Sequence, residues 1–456
     1  MKTKNIRLIL IALTLIICMC FSFFNADLVN AAMGPKDVKI KCKSGIVMDY
    51  ETGAILYEKN PHKKIYPAST TKVLTAIVAI ENSKMTDVLT VSENALKGQE
   101  DNGTHVGLKK GEKITMKDAL YSMMLESAND SAIAIAEGIS GSEENFSKLL
   151  NAKVKELDLK DSNFVTPNGL FHNNHYTTAY DMAKIIQYAY KNEEFRKLYS
   201  TNKYVMAKTN KRKELLDIYT THRMSPGKSK YYKYAVAGKT GFLRESKCNL
   251  STVAKKGDMT LICYVATNNS IYDICDDTEA LFENSFKKYK HETLSKDKRN
   301  KTIKDIIDNS DYQIRHSKAI SDKITVTVPK NADLNKIKFK LDNKKLAFPI
   351  EKGDITGHIN AIYENEVVGN VTLIAKDDMT SFMFYLSLIL KILLYAIIIG
   401  LVLLIVLRIY FKSRKKRKSK KIKGYSSYKI SHKDQYASHK SQNDKNNPNY
   451  HRKELK

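Results

Sequence analysis

The chain contains three short motifs whose residue types could together carry out acyl transfer: Ser69-Thr-Thr-Lys72, Ser127-Ala-Asn129 and Lys239-Thr-Gly241. A serine hydroxyl is a poor nucleophile until a nearby base takes its proton. A lysine three residues later, in the first turn of a helix, lies on the same face as the serine and can be that base. The spacing of Ser69 and Lys72 therefore predicts a nucleophile and its general base.

The other two motifs supply the remaining groups that such a reaction needs. Ser127 and Asn129 can complete a hydrogen-bond relay around the nucleophile. Lys239 and Thr240 offer a cation and a hydroxyl, which suit a substrate carboxylate.

Each motif alone carries little weight. Ser-x-x-Lys recurs in this lysine-rich chain, for example at Ser200/Lys203, and Ser69 alone reads as a helix N-cap. The second motif alone is compatible with a polar helix end, and the third with a turn before a strand. Chance is a poor explanation for all three in this order and in these surroundings.

The surroundings predict elements that would hold the nucleophile. Residues 46–50 and 54–57 read as two strands that are joined by a turn containing Gly53. Pro67 precedes Ser69 at the expected start of a helix, and the apolar run from Lys72 to Ile80 predicts that this helix is buried. The backbone N–H of a serine at such a helix start points to where an oxyanion would form.

Four longer stretches resemble the serine D-alanyl-D-alanine carboxypeptidases, the low-molecular-mass penicillin-binding proteins: Pro67-Ala-Ser-Thr-Thr-Lys72, Thr166-Pro-Asn-Gly-Leu170, Tyr176-Thr-Thr-Ala-Tyr-Asp-Met182 and Gly238-Lys-Thr-Gly-Phe242. The resemblance covers about residues 38–290, and more weakly Lys352-Gly-Asp-Ile-Thr-Gly357 and Val367-Val-Gly-Asn-Val371. It implies an α/β fold, in which a β-lactamase/transpeptidase-like domain, an antiparallel sheet flanked by helices, precedes a small all-β domain.

The resemblance also implies catalytic roles. Ser69 would attack the carbonyl of the penultimate D-alanine of a peptidoglycan stem peptide, with Lys72 as the base. Ser127 would relay a proton to the leaving amine, and Asn129 would bind the substrate backbone and orient Lys72. Water would then release the acyl group, and β-lactam antibiotics would acylate the same serine.

The third motif would bind the substrate. The resemblance implies that Lys239 and Thr240 hold the terminal carboxylate and that Gly241 and Phe242 continue the strand along the cleft. The backbone N–H groups of Ser69 and Phe242 would form the oxyanion hole. No metal ion and no cofactor is expected.

Two positions depart from the family's usual pattern. Tyr180 stands where the family usually has Arg, and Leu243-Arg-Glu-Ser-Lys-Cys248 stands where a Gly-containing stretch of small residues is usual. We expect both near the cleft, where they would affect substrate preference.

Three other functions use some or all of the same residues. A class A β-lactamase needs a glutamate for deacylation, and its Glu-x-x-Leu-Asn pattern is absent between Ser127 and Lys239. A catalytically idle β-lactam or wall sensor would not need three intact motifs. A DD-endopeptidase would use the same residues and stays open as an alternative.

Length and charge indicate a multidomain protein with a basic end. The chain has 456 residues and 76 Lys and Arg against 49 Asp and Glu, a formal net charge of +27. Residues 1–31 are typical of a signal peptide, because basic residues precede an apolar run from Leu8 to Phe24 and Val29-Asn-Ala31 fits a cleavage site. The alternative is an uncleaved N-terminal anchor. A secreted chain argues against nucleic acid as the partner.

The other end of the chain predicts a membrane anchor. Residues 382–407 are long and apolar enough to span a bilayer. The tail at 408–456 is strongly basic, which places it in the cytoplasm and the catalytic part on the cell-wall side of the cell membrane. The first part of the tail would lie on anionic lipid, although the charges could equally be a simple stop-transfer cluster.

The rest of the chain divides into a catalytic domain at 38–285, a linker at 286–319 and a C-terminal β domain at 320–376. Period-two alternation of apolar residues, as in Ile324/Val326/Val328, predicts the strands of the last of these. After removal of the signal, four cysteines remain, with no metal-binding spacing. We expect them to be buried or incidental thiols: Cys42, Cys248, Cys263 and Cys275.

Overall fold

The structure is a computed structural model that describes residues 38–380, except 100–102, 295, 322 and 343–345, and parts of a helical stretch between 389 and 411. The expected signal peptide at 1–31 lies outside the described residues. So do residues 382–388 of the expected membrane span and nearly all of the basic tail.

The catalytic part alternates strands with helices along the chain. Its strands are β1 Ser44–Asp49, β2 Ile55–Lys59, β3 Val88–Thr90, β4 Lys113–Thr115, β5 Lys203–Met206, β6 Leu216–Tyr219, β7 Ala235–Leu243, β8 Lys247–Lys256 and β9 Met259–Asn268. Its helices are α1 Lys72–Asn82, α2 Met116–Leu125, α3 Asn129–Ser140, α4 Glu143–Glu156, α5 Ala179–Ala189, α6 Glu193–Tyr199 and α7 Ile271–Lys288.

Five antiparallel strands form the central sheet, in the order β2-β1-β9-β8-β7. Successive side chains of a strand point to opposite faces. In β9, Ile262 and Tyr264 enter the core on one face, with helices such as α1. Leu261, Cys263 and Val265 enter the core on the other face, with α7. The sheet is therefore covered by helices on both sides, and the predicted antiparallel sheet flanked by helices is confirmed.

The turn between β1 and β2 contains Gly53, as the sequence predicts, with a φ of 72° that favours glycine. The region from Met116 to Ala136 forms two helices. Helix α2 ends at Leu125 and α3 begins at Asn129. Ser127 lies in the break, with a positive φ of 62°. Backbone in this left-handed region cannot continue a helix, so the serine motif stands at a fixed bend.

The C-terminal part is mostly β-structure. Its elements are β10 Tyr289–Thr293, α8 Lys296–Asp308, α9 Tyr312–Arg315, β11 Ser317–Ala319, β12 Thr325–Pro329, β13 Lys338–Asp342, β14 Ile355–Tyr363 and β15 Glu366–Ala375. One sheet has the order β11-β15-β14-β13, and β10 pairs with β12.

The sequence predicts a linker at 286–319, and this prediction is wrong. The stretch holds β10, α8, α9 and β11. Ile303, Ile307 and Ile314 are buried in the same core as Val326 and Val328. Helix α8 contributes only Ile303 and Ile307 to this core and most of its other residues are charged, so its apolar period is too weak to be visible in the sequence.

The β1–β2 turn also joins the catalytic part to the C-terminal part. Asp49 accepts hydrogen bonds from the backbone N–H of Glu51 and of Thr52, and its second oxygen lies 2.8 Å from Nε2 of His291. The hydroxyls of Thr52 and Thr327 lie 2.7 Å apart. A buried ion pair and a buried hydroxyl pair therefore connect the two parts.

Residues 346–351 and 378–380 belong to a unit separate from these two parts, in which Ile350 and Met379 exchange two backbone hydrogen bonds. Within the described part of the chain, no helix combines the length and apolar composition that crossing a membrane requires.

The buried pair predicts a pH-dependent stability. Burial lowers the pKa of His291, but the hydrogen bond and charge of Asp49, with the charges of Glu51 and Asp258, outweigh it and raise the pKa above its usual value. The protonated ring therefore stabilises the fold fully below roughly pH 6.5, the unfolded value, and this contribution is lost as pH rises through the folded-state pKa. His291→Gln should lower the free energy of unfolding by about 2 kcal/mol at acidic pH.

Denaturant unfolding of both proteins at about pH 6 and about pH 9 measures this effect. The exposed His105→Gln is the matched control and should show no difference. A loss that is equal at both pH values would contradict the role of the protonated ring.

Candidate active site

Ser69 lies in a short 3-10 helix, Ala68–Thr71, that leads directly into α1. Helix α1 is buried along nearly its whole length, as predicted, so the serine is fixed to a rigid element. Strand β7 passes close beside it, since a Cβ on Gly241 would lie 2.9 Å from the carbonyl oxygen of Pro67. Glycine at that position allows the strand backbone to approach the nucleophile.

Lys72 is fully buried and its ammonium group contacts three neutral acceptors. Nζ donates to the Ser69 Oγ at 2.9 Å, to the Asn129 Oδ1 at 2.7 Å and to the Asn168 carbonyl oxygen at 2.8 Å. Burial, and then the charge of Lys239, hold the pKa of Lys72 well below its usual value, although the more distant Asp130 acts in the opposite direction. A neutral amine beside a hydroxyl is the state that a general base needs.

The bend between α2 and α3 presents the second motif to the same place. Thr104 fixes this bend, because its hydroxyl donates to the Ser127 carbonyl at 2.7 Å and its carbonyl accepts from the Asn129 N–H at 2.8 Å. The Ser127 hydroxyl accepts a 2.9 Å hydrogen bond from Nζ of Lys239. The structure thus brings all three motifs together in one hydrogen-bonded cluster.

Lys239 lies on β7 and is buried. Burial lowers its pKa to about 7, against an opposing effect of the Glu126 charge. The neighbouring Thr240 hydroxyl lies 3.2 Å from the hydroxyl of Thr221. This end of the strand therefore offers one titratable amine and two hydroxyls to an anionic group.

The cluster opens into a cleft of about 740 Å³. Ser69, Ser127, Asn129, Thr240, Gly241 and Phe242 all line it. Phe242 is 66% exposed and, with Leu170 and Leu243, gives the cleft an apolar rim. Strand β7 is the last strand in the sheet order, so among the described strands only β8 pairs with it. The other edge of β7 is paired with no described strand, so an extended ligand can bind along it.

The two family departures fall in different places. Leu243, Arg244 and Cys248 line the cleft, as expected. Tyr180 does not. It lies at the start of α5 and lines a second cavity, of about 390 Å³, together with C-terminal residues such as His358. The expectation that Tyr180 lies near the cleft is therefore wrong.

Sequence reasoning did not single out four residues that support the site. Asn168 falls within a quoted family stretch, but it acts through its backbone oxygen, which no side-chain pattern reveals. Thr104 and Thr221 stand outside every motif. His222 packs beneath β7, where a Cβ on Gly238 would lie 2.2 Å from its ring.

The two buried histidines near these loops are neutral. Burial lowers the pKa of His175 and of His222 to about 3 in each case. Both rings hydrogen-bond to threonine hydroxyls, Thr71 and Thr252 respectively. In the part of the chain that the structure describes, no three His, Cys, Asp or Glu side chains are grouped in a way that could hold a metal ion.

Four features together define a class of enzymes: a serine at the head of a buried helix, a buried lysine of lowered pKa beside it, a second serine, and a lysine on the edge strand. This class comprises the penicillin-binding proteins and the serine β-lactamases. Comparison with known sequences places the chain within the class: the family described as "D-alanyl-D-alanine carboxypeptidase" matches residues 30–270. The chain belongs to this family. A second family, "Penicillin-binding protein 5, C-terminal domain", matches residues 289–381.

Related proteins cover most of the chain. D-alanyl-D-alanine carboxypeptidase DacF of Bacillus subtilis is 32% identical over 346 residues, which are 74% of this chain and 86% of the relative. D-alanyl-D-alanine carboxypeptidase DacA of Haemophilus influenzae is 27% identical over 375 residues, or 78% and 90% of the two chains.

Solved structures share the fold. The Streptomyces K15 DD-transpeptidase is 27% identical, with a TM-score of 0.51 over 55% of this chain and 98% of its own. Penicillin-binding protein 5 of Haemophilus influenzae is 22% identical, with a TM-score of 0.55 over 75% of this chain and 98% of its own, and this likeness concerns the fold alone.

Gly169 gives a test of how tightly the nucleophile is held. Its φ is 83°, and an added Cβ would lie 1.9 Å from the carbonyl oxygen of Ala68, beside Ser69. Gly169→Ala must displace that turn or the Asn168 carbonyl that contacts Lys72. We expect acylation by penicillin to slow by about a hundredfold, because small misplacements of reacting groups have effects of that order.

Gly141→Ala is the matched control. Gly141 has a similar φ of 79° but no atom within 4 Å of an added Cβ. It should lose about 1 kcal/mol of stability from the backbone conformation alone and keep its acylation rate. Equal acylation rates in the two variants would show that the turn tolerates movement.

Proposed function

We propose that this protein is a serine D-alanyl-D-alanine carboxypeptidase that removes the terminal D-alanine of peptidoglycan stem peptides and is acylated by β-lactams. One observation carries the proposal. The buried Lys72 ammonium lies 2.9 Å from the Ser69 hydroxyl, and its three hydrogen-bond partners are all uncharged. With no carboxylate in contact with it, the amine loses its proton readily and can take one from the serine.

In the acylation step, Ser69 Oγ attacks the carbonyl carbon of the penultimate D-alanine while Lys72 takes the hydroxyl proton. The backbone N–H groups of Ser69 and Phe242 would bind the oxyanion. Support for this pairing comes from the close approach of β7 to the Ser69 turn at Gly241. Preorganised donors of this kind stabilise the charge that develops in the transition state.

The leaving amine needs a proton. Ser127 can relay to it the proton that Lys72 took from Ser69, because the Ser127 hydroxyl lies in the same cleft as Ser69 and is held by the Lys239 amine at 2.9 Å. Asn129 holds the Lys72 amine through Oδ1. It lines the cleft beside the substrate position.

The terminal carboxylate would bind at Lys239 and Thr240, with Thr221 beside them. The lowered pKa of Lys239 means that the free site is only partly charged near neutral pH. A bound carboxylate favours the protonated amine and so strengthens the contact. Water then attacks the Ser69 ester and releases the shortened peptide.

A β-lactamase is the nearest alternative. It would need a group that activates the deacylating water, and in class A enzymes this group is a glutamate. The described residues that line the cleft include no Asp or Glu. That composition favours the peptidase, in which an acylated β-lactam is released slowly.

The assignment of Ser69 and Lys72 is tested by labelling with a fluorescent penicillin. Ser69→Ala should abolish labelling, while Lys72→Arg, which keeps the charge but holds its proton, should slow it by about 10²–10⁴-fold. Circular dichroism should show both variants folded. Labelling that persists in Ser69→Ala would refute the nucleophile, and near-normal rates in Lys72→Arg would move the base role elsewhere. Mass spectrometry with a diacylated D-Ala-D-Ala peptide then reports the released D-alanine.

We also propose that the protein is exported and anchored in the cell membrane by a single C-terminal span, with the catalytic part on the cell-wall side. The support is the signal-like sequence at 1–31, the apolar run at 382–407 and the basic stretch that begins at Arg408. Positive residues stay on the cytoplasmic side of a span. The tail would rest against anionic lipid.

An epitope added after Lys456 tests this topology. External protease applied to wall-stripped cells should digest the catalytic part and leave the tagged tail protected, because the bilayer separates them. A chain that ends at Asp378 should be released into the medium and keep its turnover of small peptides. A tag that is digested from outside would contradict the orientation.

A further inference from the structure

The cleft contains more positive charge than the terminal carboxylate of a substrate accounts for. Arg223 and Arg244 line it in addition to the motif residues, and the described lining includes no acidic side chain. Lys239 and Thr240 already serve the terminal carboxylate in the proposed reaction. The two arginines therefore remain to be explained.

The arginines lie on different segments of the cleft lining. Arg223 is two residues from Thr221 in the chain, whose hydroxyl lies 3.2 Å from that of Thr240. Arg244 follows the last residue of β7 and is four residues beyond Thr240. A strand rises about 3.3 Å per residue, which puts the two Cα atoms roughly 13 Å apart.

The edge of β7 fixes the direction of a bound peptide. An exposed strand edge binds an extended peptide as an additional strand. With the terminal carboxylate at Thr240 and the reacting carbonyl at Phe242, the peptide must continue toward Arg244. The residue before the D-alanyl pair lies about 7 Å along the peptide from the last residue. A side chain of glutamate length or longer at that residue then reaches the end of β7.

Arg244 is exposed, and no ion pair to it occurs in the described part of the chain. It lines the cleft from the turn that directly follows β7. A guanidinium in this position can donate two hydrogen bonds to the charged oxygens of a carboxylate, whereas an amide of the same shape offers it a single uncharged acceptor oxygen.

We infer that the enzyme prefers stem peptides in which the residue before the D-alanyl pair carries a free side-chain carboxylate, and that Arg244 binds this group. The inference rests on the proposed carboxypeptidase function and names the substrate class within it. Arg244 acts as a specificity residue and takes no part in the bond-breaking steps.

The test compares two pairs of peptides on the purified full-length protein: acetyl-Glu-D-Ala-D-Ala with acetyl-Gln-D-Ala-D-Ala, and the 2-aminopimelyl peptide with its side-chain amide. Within a pair, only the charge of the side chain changes. The acidic member should have a kcat/KM about fivefold higher at low ionic strength, the size expected for an exposed ion pair. Added salt should reduce this ratio.

Four variants separate a local contact from a general effect of charge. Arg244→Gln should bring the ratio close to one, and Arg244→Lys should restore part of it. Arg223→Gln removes the same charge from another segment of the cleft lining and should leave the ratio unchanged. Lys247→Gln, which lies three residues from Arg244 but does not line the cleft, should change neither the ratio nor the rates.

Equal kcat/KM values within both pairs would overturn the inference, as would a ratio that survives Arg244→Gln. D-alanine release from the neutral peptides would in that case still support the proposed function, so the two failures are distinct. The same peptides are also compared as protectants of Ser69 against penicillin labelling. Protection measures the binding preference without turnover. Equal protection within both pairs would also overturn the inference.

Discussion

The site depends on the burial of two lysines whose amines contact no carboxylate among the described residues. Lys72 and Lys239 each contact a serine hydroxyl at 2.9 Å, and each lies in the interior of the fold. Transfer of an ammonium ion out of water is unfavourable unless a counter-ion compensates for it. The fold supplies hydroxyls, an amide and a backbone carbonyl instead, so the amines lose their protons more easily than free lysine. The helix, the bend and the edge strand are needed because their rigid packing keeps the two amines buried although this burial is unfavourable.

Much of this could be read from the sequence because the relevant signals are local. Ser69 and Lys72 are one helical turn apart, and the apolar run after them identifies a buried helix. Glycine at positions 53 and 241 stands where the backbone needs it, once at a positive φ and once beside the nucleophile. Residue type and spacing carry this information without reference to the rest of the chain.

Other parts of the site could not be predicted, because they are set by contacts between distant segments. Asn168 is 96 positions from Lys72 in the chain and contacts it through a backbone carbonyl, a group that every residue type has. Tyr180 stands within a family motif but faces the C-terminal part. The helices between 286 and 319 were not predicted because they contain few apolar residues. These residues are buried only against strands that follow later in the chain. In each case the deciding partner lies far away in sequence.

The cleft also holds the thiol of Cys248, and the reactivity of this thiol contrasts with that of the Ser69 hydroxyl. Cys248 lies opposite Phe242 in the β7–β8 pairing and lines the same cavity. Burial raises the pKa of its thiol and so keeps it in the unreactive protonated form. The Ser69 hydroxyl, which is intrinsically the weaker nucleophile, is thus activated, whereas the Cys248 thiol is kept unreactive. Chemoselectivity at this site follows from which side chain has a buried amine of lowered pKa as its neighbour, so an acylating agent that enters the cleft is directed to oxygen although a sulfur atom lines the same cleft.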